Sequence, residues 1–224
     1  MTIAPPPDTP HIPPPYRPPP PEDVRTIHLD EAIIVADKPA GLLSVPGIGP
    51  EKQVCVQSIL EARHGVALTV HRLDMDTSGV MVFARTKDAQ RYLSRGFERR
   101  LVTKQYEAIV EGDIAEDTGT ISLPIARYSL RRPFRHIDPD GQEAITDWQV
   151  LARMPTTTRL RLSPKTGRTH QLRLHLSAIG HPILGDDLYG NKTSANRLLL
   201  HATALSFPNP IDSKPIYFSA PALF

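Results

Sequence analysis

The chain has 224 residues, of which 40% are hydrophobic, and its 26 Lys and Arg residues nearly balance 24 Asp and Glu residues. This length suits one large domain or two small ones. No apolar run approaches the roughly 18 residues of a membrane span, and the N-terminus lacks a signal-peptide pattern. The single cysteine, Cys55, excludes a disulfide framework and a thiolate zinc site, and its setting in VCVQSIL indicates a small apolar helix position. A cytoplasmic protein without membrane association is therefore expected.

The first 24 residues form a proline-rich segment. Eleven prolines fall within residues 1–21, where few other side chains could pack in a core. This composition predicts an extended, polyproline-like tail over residues 1–24 and one folded domain over residues 25–224. Whether the tail is a plain tether or a ligand of another protein stays open.

Beyond the tail, the hydrophobic pattern indicates several strands and a few helices. Strands are predicted at about residues 32–38, 79–85, 104–112, 146–151, 158–162, 198–207 and 216–219, and helices at about 54–64, 89–97 and 170–179. The regular alternation of strand and helix that marks a doubly wound fold is missing. The pattern therefore predicts an α+β fold with a mostly antiparallel mixed sheet flanked by helices.

Basic residues are concentrated in three segments. Residues 85–104 hold seven basic residues and two acids, whereas residues 127–135 hold four and residues 153–173 hold six, both without an acid. Such clusters can give a nearly neutral protein an electropositive face for a phosphate backbone. Because solvated surface charges would produce the same counts, the clusters alone leave nucleic-acid binding open.

One polar loop combines cations, carboxylates and hydroxyls within nine positions. It is HRLDMDTSG, residues 71–79, and it leads directly into a predicted strand. Asp74 and Asp76 can each be a residue that shapes the turn or a carboxylate presented for covalent or acid–base chemistry. Spacing alone favours the turn-shaping interpretation and leaves the catalytic one open.

A second polar loop, SPKTGRTHQLRLH, spans residues 163–175. Arg168 lies at its tip, where a guanidinium can hold a carboxylate bidentately or simply face solvent. His170 and His175 are five positions apart, which does not place them on one helical face, and no cysteine or nearby acid completes a zinc set. Neither a metal site nor a nucleotide cofactor is predicted, because the phosphate-binding glycine motifs are also missing.

A family resemblance rests on four strings that occur in order along the chain. They are HRLDMDTSG, KQYEAIVEG, KTGRTHQLRLHLSAIGHPILGDDLYG and RLLLHATALSF, and DKPAGLLSVPG at residues 37–47 is a fifth. Together they resemble the RluA-type pseudouridine synthase family over roughly residues 27–224. The resemblance is closest to the short subgroup that lacks an S4-type RNA-binding domain and acts on the tRNA anticodon stem-loop and 23S rRNA. It implies a monomeric isomerase that converts uridine to pseudouridine in RNA without a cofactor.

The resemblance implies three catalytic residues. Asp74 matches the family's catalytic aspartate, whereas Asp76 is expected to remain a loop-forming acid. Tyr106, in KQY, matches the tyrosine that stacks on the target base and assists removal of the C5 proton. Arg168 matches the arginine that pairs with the catalytic carboxylate.

Four further residues are implied to bind the substrate. Arg72 matches the side chain that fills the gap left by a flipped base, and Leu172 matches the apolar wall beneath the uracil. His71 and Thr77, from the same motif as Asp74, are expected to contact the substrate as well. For Leu172, a position in the core of an amphipathic helix is the alternative.

Two other functions are compatible with parts of the sequence. A non-catalytic RNA-binding module of the same fold would keep the basic segments but has no use for Asp74, Tyr106 and Arg168 together. A glycosidase-like hydrolase would use a similar aspartate, yet no second carboxylate motif stands out as its acid partner. For a synthase, the sequence leaves open whether Asp74 attacks C6 of the base, attacks C1′ of the ribose, or removes the ribose 2′ proton.

Overall fold

The computed structural model describes residues 15–128 and 134–224. The described residues divide into two compact units. Unit A comprises residues 16–105 and 201–224, and unit B comprises residues 106–200. The predicted helices and strands are all present, with bounds shifted by a few residues.

The strands are numbered in chain order. They are β1 (Arg25–Leu29), β2 (Ile33–Lys38), β3 (Leu68–Thr69), β4 (Ser78–Ala84), β5 (Thr103–Glu111), β6 (Thr118–Ser122), β7 (Ile125–Arg127), β8 (Arg135–Ile137), β9 (Ile145–Arg153), β10 (Thr157–Pro164), β11 (Leu200–Pro208) and β12 (Pro215–Ser219). The α-helices are α1 (Val56–His64), α2 (Lys87–Glu98) and α3 (Gln171–Ala178).

Unit A contains a mixed sheet around β4. Strand β2 lies between β1 and β4 and is antiparallel to both, and the short β3 also pairs antiparallel with β4. Strand β11 pairs parallel with β4 and antiparallel with β12. All seven residues of β4 are buried, as the continuous apolar run in its sequence predicts for a strand covered on both faces.

Gly79 allows β4 and β11 to approach each other. Its φ is +118°, and a Cβ atom there would clash with the carbonyl oxygen of Ala202, its partner in β11. Next to this contact, Ser78 Oγ lies 2.8 Å from His201 Nδ1, and His201 Nε2 lies 3.2 Å from the carbonyl oxygen of Ala220. Because a carbonyl only accepts, Nε2 carries the proton and Ser78 donates to Nδ1.

Cys55 is the N-cap residue of α1 and lies just before its first helical residue, so the predicted position inside the helix is wrong. Its Sγ accepts from the Ser58 backbone amide at 3.4 Å, and Ser58 Oγ accepts from the Cys55 amide at 3.0 Å. The side chain is fully buried. A thiol is a weak acceptor, so a cap of this kind gives little sequence signal.

Helix α2 is apolar on one face and basic on the other. Ala89 and Leu93 are buried in the core of unit A, whereas the outer face is exposed and carries Arg91, Arg95 and Arg99. Thr86 caps the helix by accepting from the Ala89 amide at 3.1 Å.

Unit B contains an antiparallel sheet and a hairpin-like strand pair. Strand β10 pairs with β5 on one side and β9 on the other, and β9 also pairs with β6. Strands β7 and β8 pair separately. Buried and half-buried residues alternate along β10. Its buried residues Leu160 and Leu162 belong to the same apolar cluster as Leu176 of α3. Antiparallel pairing therefore dominates in the described residues, as the sequence predicted.

The described part of the proline-rich segment is held by unit A. Tyr16 Oη donates to the Val54 carbonyl at 2.8 Å and accepts from the Leu43 amide at 3.1 Å. Burial raises the pKa of the Tyr16 hydroxyl. Arg63 donates to the carbonyl oxygens of Pro21 and Val24. Residues 1–14 of the predicted tail lie outside the described residues, and the domain boundary at residue 25 stays a prediction.

These contacts predict that Tyr16→Phe destabilises the protein although it removes only one oxygen atom. The variant leaves the Leu43 amide and the Val54 carbonyl without this partner, which costs about 1 kcal/mol. In a chain of this size, that loss lowers Tm by about 2–4 °C. Circular dichroism melts would measure it, with Tyr217→Phe as the control because Tyr217 is 63% exposed. Equal melting temperatures for the two variants would contradict a stabilising role of Tyr16.

Candidate active site

In unit A, the loop between β3 and β4 carries four of the predicted site residues. The Thr77 amide donates to the Asp74 carbonyl at 3.2 Å, which closes a turn that begins at Asp74. Thr77 and Leu73 are buried, whereas Asp74 is half-buried and the Arg72 side chain is exposed. The loop thus has buried residues on both sides of a partly accessible aspartate. A direct substrate contact by the buried Thr77 stays a prediction.

His71 fixes the start of this loop. Its Nε2 accepts from the Val82 amide of β4 at 3.0 Å, and its ring stacks on Phe97 of α2 with centroids 4.7 Å apart. Burial, reinforced by the charge of Lys104, lowers the pKa of His71 to about 3. Because Nε2 is an acceptor, the neutral ring carries its proton on Nδ1. The predicted contact of His71 with the substrate stays a prediction.

The segment from Lys38 to Ser44 lies against the same loop. Ser44 Oγ donates to the Leu73 carbonyl at 2.7 Å and accepts from the Leu73 amide at 3.1 Å. The Met75 carbonyl accepts from the Gly41 amide at 3.0 Å and from Lys38 Nζ at 2.7 Å. Sequence reasoning did not assign Lys38 or Ser44 to the site. The available signal was a lysine at the end of a mostly apolar strand, inside the fifth matching string.

In unit B, Tyr106 and Leu172 belong to one apolar cluster. Tyr106 lies in β5 opposite Leu162 of β10 and packs against the cluster that contains Leu172. Leu172 is only 7% exposed, whereas Tyr106 is half-buried. This burial supports the core position that was the alternative for Leu172. Membership in the same cluster as Tyr106 is also compatible with the apolar wall predicted for Leu172, which stays a prediction.

The loop that presents Arg168 is closed by a buried glutamine. Gln171 Oε1 accepts from the Arg168 amide at 3.0 Å and from Thr166 Oγ1 at 2.8 Å. Its Nε2 donates to the carbonyl oxygen of Ile145 at 3.0 Å. Arg168 Nε donates to the Glu143 carbonyl at 2.9 Å. Gln171 is therefore a supporting residue that sequence reasoning missed, because glutamine inside a helix pattern carries no specific signal.

A buried ion pair joins helix α3 to the segment that follows it in the chain. Arg173 donates from Nε and Nη2 to the two carboxylate oxygens of Asp186, at 2.8 and 2.6 Å. Burial alone would raise the pKa of Asp186, but its bonds to Arg173 hold that pKa below the usual value. Tyr189 Oη accepts from the Arg135 amide and lies 2.9 Å from His170 Nδ1, at the left-handed residue that precedes α3.

Acidic partners offset part of the third basic segment. Arg153 Nη2 lies 2.8 Å from Asp117, and Arg159 Nη2 forms an ion pair with Glu107. The acids come from outside residues 153–173, so a count along the chain cannot reveal them. The segment is therefore a weaker surface for a phosphate backbone than its composition indicates.

Residues 15–128 and 134–224 contain no group of three or more His, Cys, Asp or Glu side chains that could hold a metal ion. His175 lies buried between Thr146 Oγ1 and the Leu123 carbonyl, each 3.0 Å from a ring nitrogen. Burial lowers the pKa of His175. Within the same ranges, no helix is both long and apolar enough to cross a bilayer.

Comparison with known proteins defines the class. The sequence model described as RNA pseudouridylate synthase matches residues 32–178, which include the polar loop and most of unit B. The chain therefore belongs to the RNA pseudouridylate synthase family, and the resemblance drawn from the five strings is confirmed. It is an isomerase that acts on RNA.

Individual relatives are similar over nearly the full length. The chain is 44% identical over 214 residues to the dual-specificity RNA pseudouridine synthase RluA of Pasteurella multocida, covering 93% of this chain and 98% of the relative. It is 41% identical, with the same coverage, to the protein of that name from Escherichia coli (strain K12). Among solved structures, human RNA pseudouridylate synthase domain containing 1 has a TM-score of 0.78 at 31% identity, covering 92% of this chain and 86% of that one.

Proposed function

We propose that this synthase modifies uridines in two kinds of structured RNA, the tRNA anticodon stem-loop and 23S rRNA, and that Asp74 is its essential carboxylate. The names of the curated relatives, which describe them as dual-specificity enzymes, support the double target. The observation that carries the role of Asp74 is its setting on a closed turn, partly accessible, between two buried or hydrogen-bonded neighbours. The enzyme would act as a cytoplasmic monomer without a cofactor.

The reaction defines what the side chains must do. Pseudouridine formation breaks the N1 glycosidic bond, rotates the uracil and rejoins it to the ribose through C5, without a net change of oxidation state. It needs an ionised carboxylate, a pocket that retains the detached base, and a group that helps to remove the C5 proton. We assign these roles to Asp74, to an apolar surface that includes Leu172, and to Tyr106.

Arg168 is proposed to keep the carboxylate ionised. Bound RNA excludes water from Asp74, and desolvation favours the protonated acid, so a nearby guanidinium is needed to offset it. The Arg168 loop is suited to such a role because Gln171 fixes its backbone and the Glu143 carbonyl fixes Nε. The Nη atoms can still donate to a carboxylate.

Arg72 is proposed to assist extrusion of the target uridine. A base stacked in a stem or loop must be flipped out before a carboxylate can reach it, which costs a few kcal/mol. Arg72 is exposed and two residues from Asp74. Its planar guanidinium can occupy the vacated stacking position and pair with a phosphate.

The proposal is tested by release of tritium from RNA labelled at C5 of uridine. Two transcripts are needed, an anticodon stem-loop and a hairpin from 23S rRNA, each with a control in which the target uridine is cytidine. We expect release from both target transcripts, at most one tritium per molecule, with the base still attached to the chain. Release from only one transcript would contradict dual specificity. Free uracil would indicate a hydrolase, and binding without release a non-catalytic RNA-binding module.

Tyr106→Phe is expected to slow the chemical step by about 10²-fold with little change in RNA affinity. The ring can still pack against the cluster of unit B, but the hydroxyl that assists proton removal is gone. Single-turnover rates and the Kd of the stem-loop would separate the two effects. An unchanged rate would reduce Tyr106 to a packing residue.

Arg72→Ala is expected to act on the RNA structure and not on bond cleavage. The single-turnover rate should fall at least tenfold on a hairpin with a stacked target uridine and far less on an RNA whose target is already unstacked. Lysine should rescue poorly because it keeps the charge without the plane. Arg95→Ala, on the exposed face of α2, is the control and should affect both RNAs equally. Equal slowing by Arg72→Ala would place Arg72 in the chemical step.

A further inference from the structure

The loop between β2 and α1 exposes three apolar side chains at its tip. Pro46, Ile48 and Pro50 all face solvent, and Ile48 is 91% exposed. We call residues 46–50 the apolar tip. A single exposed apolar residue is ordinary on a protein surface, whereas exposed apolar residues that lie together are typical of a contact with another molecule. The apolar tip is therefore a candidate contact surface in unit A.

Bonds within the loop hold the apolar tip in one conformation. The Gly47 amide donates to the Lys52 carbonyl at 2.9 Å. Gln53 Nε2 donates to the carbonyl oxygens of Gly47 at 3.3 Å and Gly49 at 2.7 Å, so one side-chain amide bonds a carbonyl on each side of Ile48. The φ of Gly49 is +102°, a conformation that favours glycine. Ile48 is thus presented to solvent by an ordered backbone.

The loop begins beside the proposed site. Ser44 Oγ bonds both the amide and the carbonyl of Leu73, the residue that precedes Asp74. Ile48 follows Ser44 by four residues, and because a chain spans at most about 3.6 Å per residue, the two Cα atoms lie within about 14 Å of each other. An RNA whose target uridine lies at Asp74 therefore has neighbouring nucleotides within reach of the apolar tip.

The charges of the loop favour an apolar contact over a phosphate site. Glu51 and Lys52 are the only charged residues among residues 45–54, and they cancel each other. Their carboxylate and ammonium groups lie 4.0 Å apart. Isoleucine is one of the side chains that proteins insert between the bases of a nucleic acid. Because the loop is already ordered, such a contact costs little conformational entropy on binding.

We propose that the apolar tip binds the substrate RNA, with Ile48 packed against a base that flanks the extruded uridine. This inference rests on the proposed position of the target uridine at Asp74. Extrusion unstacks the uridine from its neighbours and exposes the faces of their bases to water. Arg72 is assigned to the vacated position, and Ile48 covers a base next to it, which removes apolar surface of both partners from water. Ile48 is therefore an affinity-determining residue for the RNA.

The experiment compares Ile48→Ser, which removes the apolar side chain, with Ile48→Leu, which keeps one. Val66→Ser is the control, because Val66 is also apolar and 53% exposed in unit A. It precedes β3, whose Leu68 pairs with Ala84 at the end of β4 remote from the polar loop. We expect Ile48→Ser to raise the Kd of the anticodon stem-loop about tenfold, with a smaller change in the rate at saturating RNA. Ile48→Leu and Val66→Ser should stay within threefold of the wild type in Kd, and all three should keep its Tm.

The salt dependence of binding separates an apolar contact from an ionic one. Loss of a phosphate contact reduces the slope of log Kd against log salt concentration by about 0.7–0.9. Ile48→Ser should leave the slope unchanged although it weakens binding, whereas Arg72→Ala should reduce it. A slope reduced equally in the two variants would contradict an apolar contact by Ile48.

A Kd for Ile48→Ser within threefold of that for Val66→Ser would overturn the proposal. Sedimentation of the free protein tests the other occupant, a second copy of the chain: a wild-type dimer that Ile48→Ser dissociates would also overturn it. Affinity is measured on each transcript from which the wild type releases tritium, so a wrong target RNA contradicts the proposed function and not this contact. An active Asp74→Asn would likewise overturn the role of Asp74, whereas an unchanged Kd of Ile48→Ser overturns only the role of Ile48.

Discussion

Asp74→Asn is expected to lower the single-turnover rate by about 10⁴-fold or more, while the melting temperature and RNA affinity remain close to those of the wild type. The amide is nearly isosteric with the carboxylate, so the turn to Thr77 and the bonds to Leu73 and Met75 can persist. Only the carboxylate can act as a nucleophile or a base, and the expected loss lies at or beyond the upper end of single acid–base contributions.

Asp76→Asn is the matched control for this experiment. It lies in the same loop, makes the same chemical change and also removes a charge near Lys38. We expect it to keep activity within about tenfold of the wild type, since Asp76 is assigned to the loop and not to the reaction. Activity of Asp74→Asn within tenfold of the wild type, or equal losses in the two variants, would contradict the assignment of Asp74.

The fold was largely predictable because its strongest signals are local. The apolar run of β4 and the basic, amphipathic pattern of α2 each determine one element and its buried face. The strands that the sequence did not reveal are short or polar. Strand β8, for example, is RHI, and β6 is TGTIS. Their pairing depends on partners far along the chain, which periodicity within a short window does not report.

The residues proposed for the reaction could be selected from the sequence, whereas the side chains that hold their loops could not. Asp74 was predicted through a family motif, but the contact of Lys38 with the Met75 carbonyl appears only when β2 is folded against the polar loop. The same holds for Gln171, whose amide joins Arg168 to β9. The composition of the proline-rich segment also gave no sign of the contacts of Tyr16. Its single hydroxyl bonds two backbone groups of unit A and so holds a segment that has few apolar side chains to bury. Long-range hydrogen bonds of this kind leave no local pattern.

Asp186→Asn is expected to cause the largest loss of stability, about 3–5 kcal/mol in the free energy of unfolding. Asp186 is fully buried and Arg173 is 3% exposed, so the variant removes the buried carboxylate that binds two guanidinium nitrogens and leaves the charge of Arg173 poorly compensated inside unit B. Urea denaturation at neutral pH would measure the loss. Asp187→Asn is the control, because Asp187 bonds the same guanidinium at 2.8 Å but is 27% exposed, and it should cost about 1 kcal/mol or less.

The pH dependence of this loss follows from the pKa of Asp186. Its pKa in the folded protein lies below the ordinary value of 3.8, so the folded state binds fewer protons than the unfolded state as the pH falls past that value. The advantage of the wild type over Asp186→Asn should therefore be complete above pH 3.8 and shrink as the pH falls below it. A double variant, Arg173→Met with Asp186→Leu, should recover much of the stability, because removing both charges leaves none uncompensated. If the double variant is no more stable than Asp186→Asn, the loss of stability in Asp186→Asn does not arise from the poorly compensated charge of Arg173.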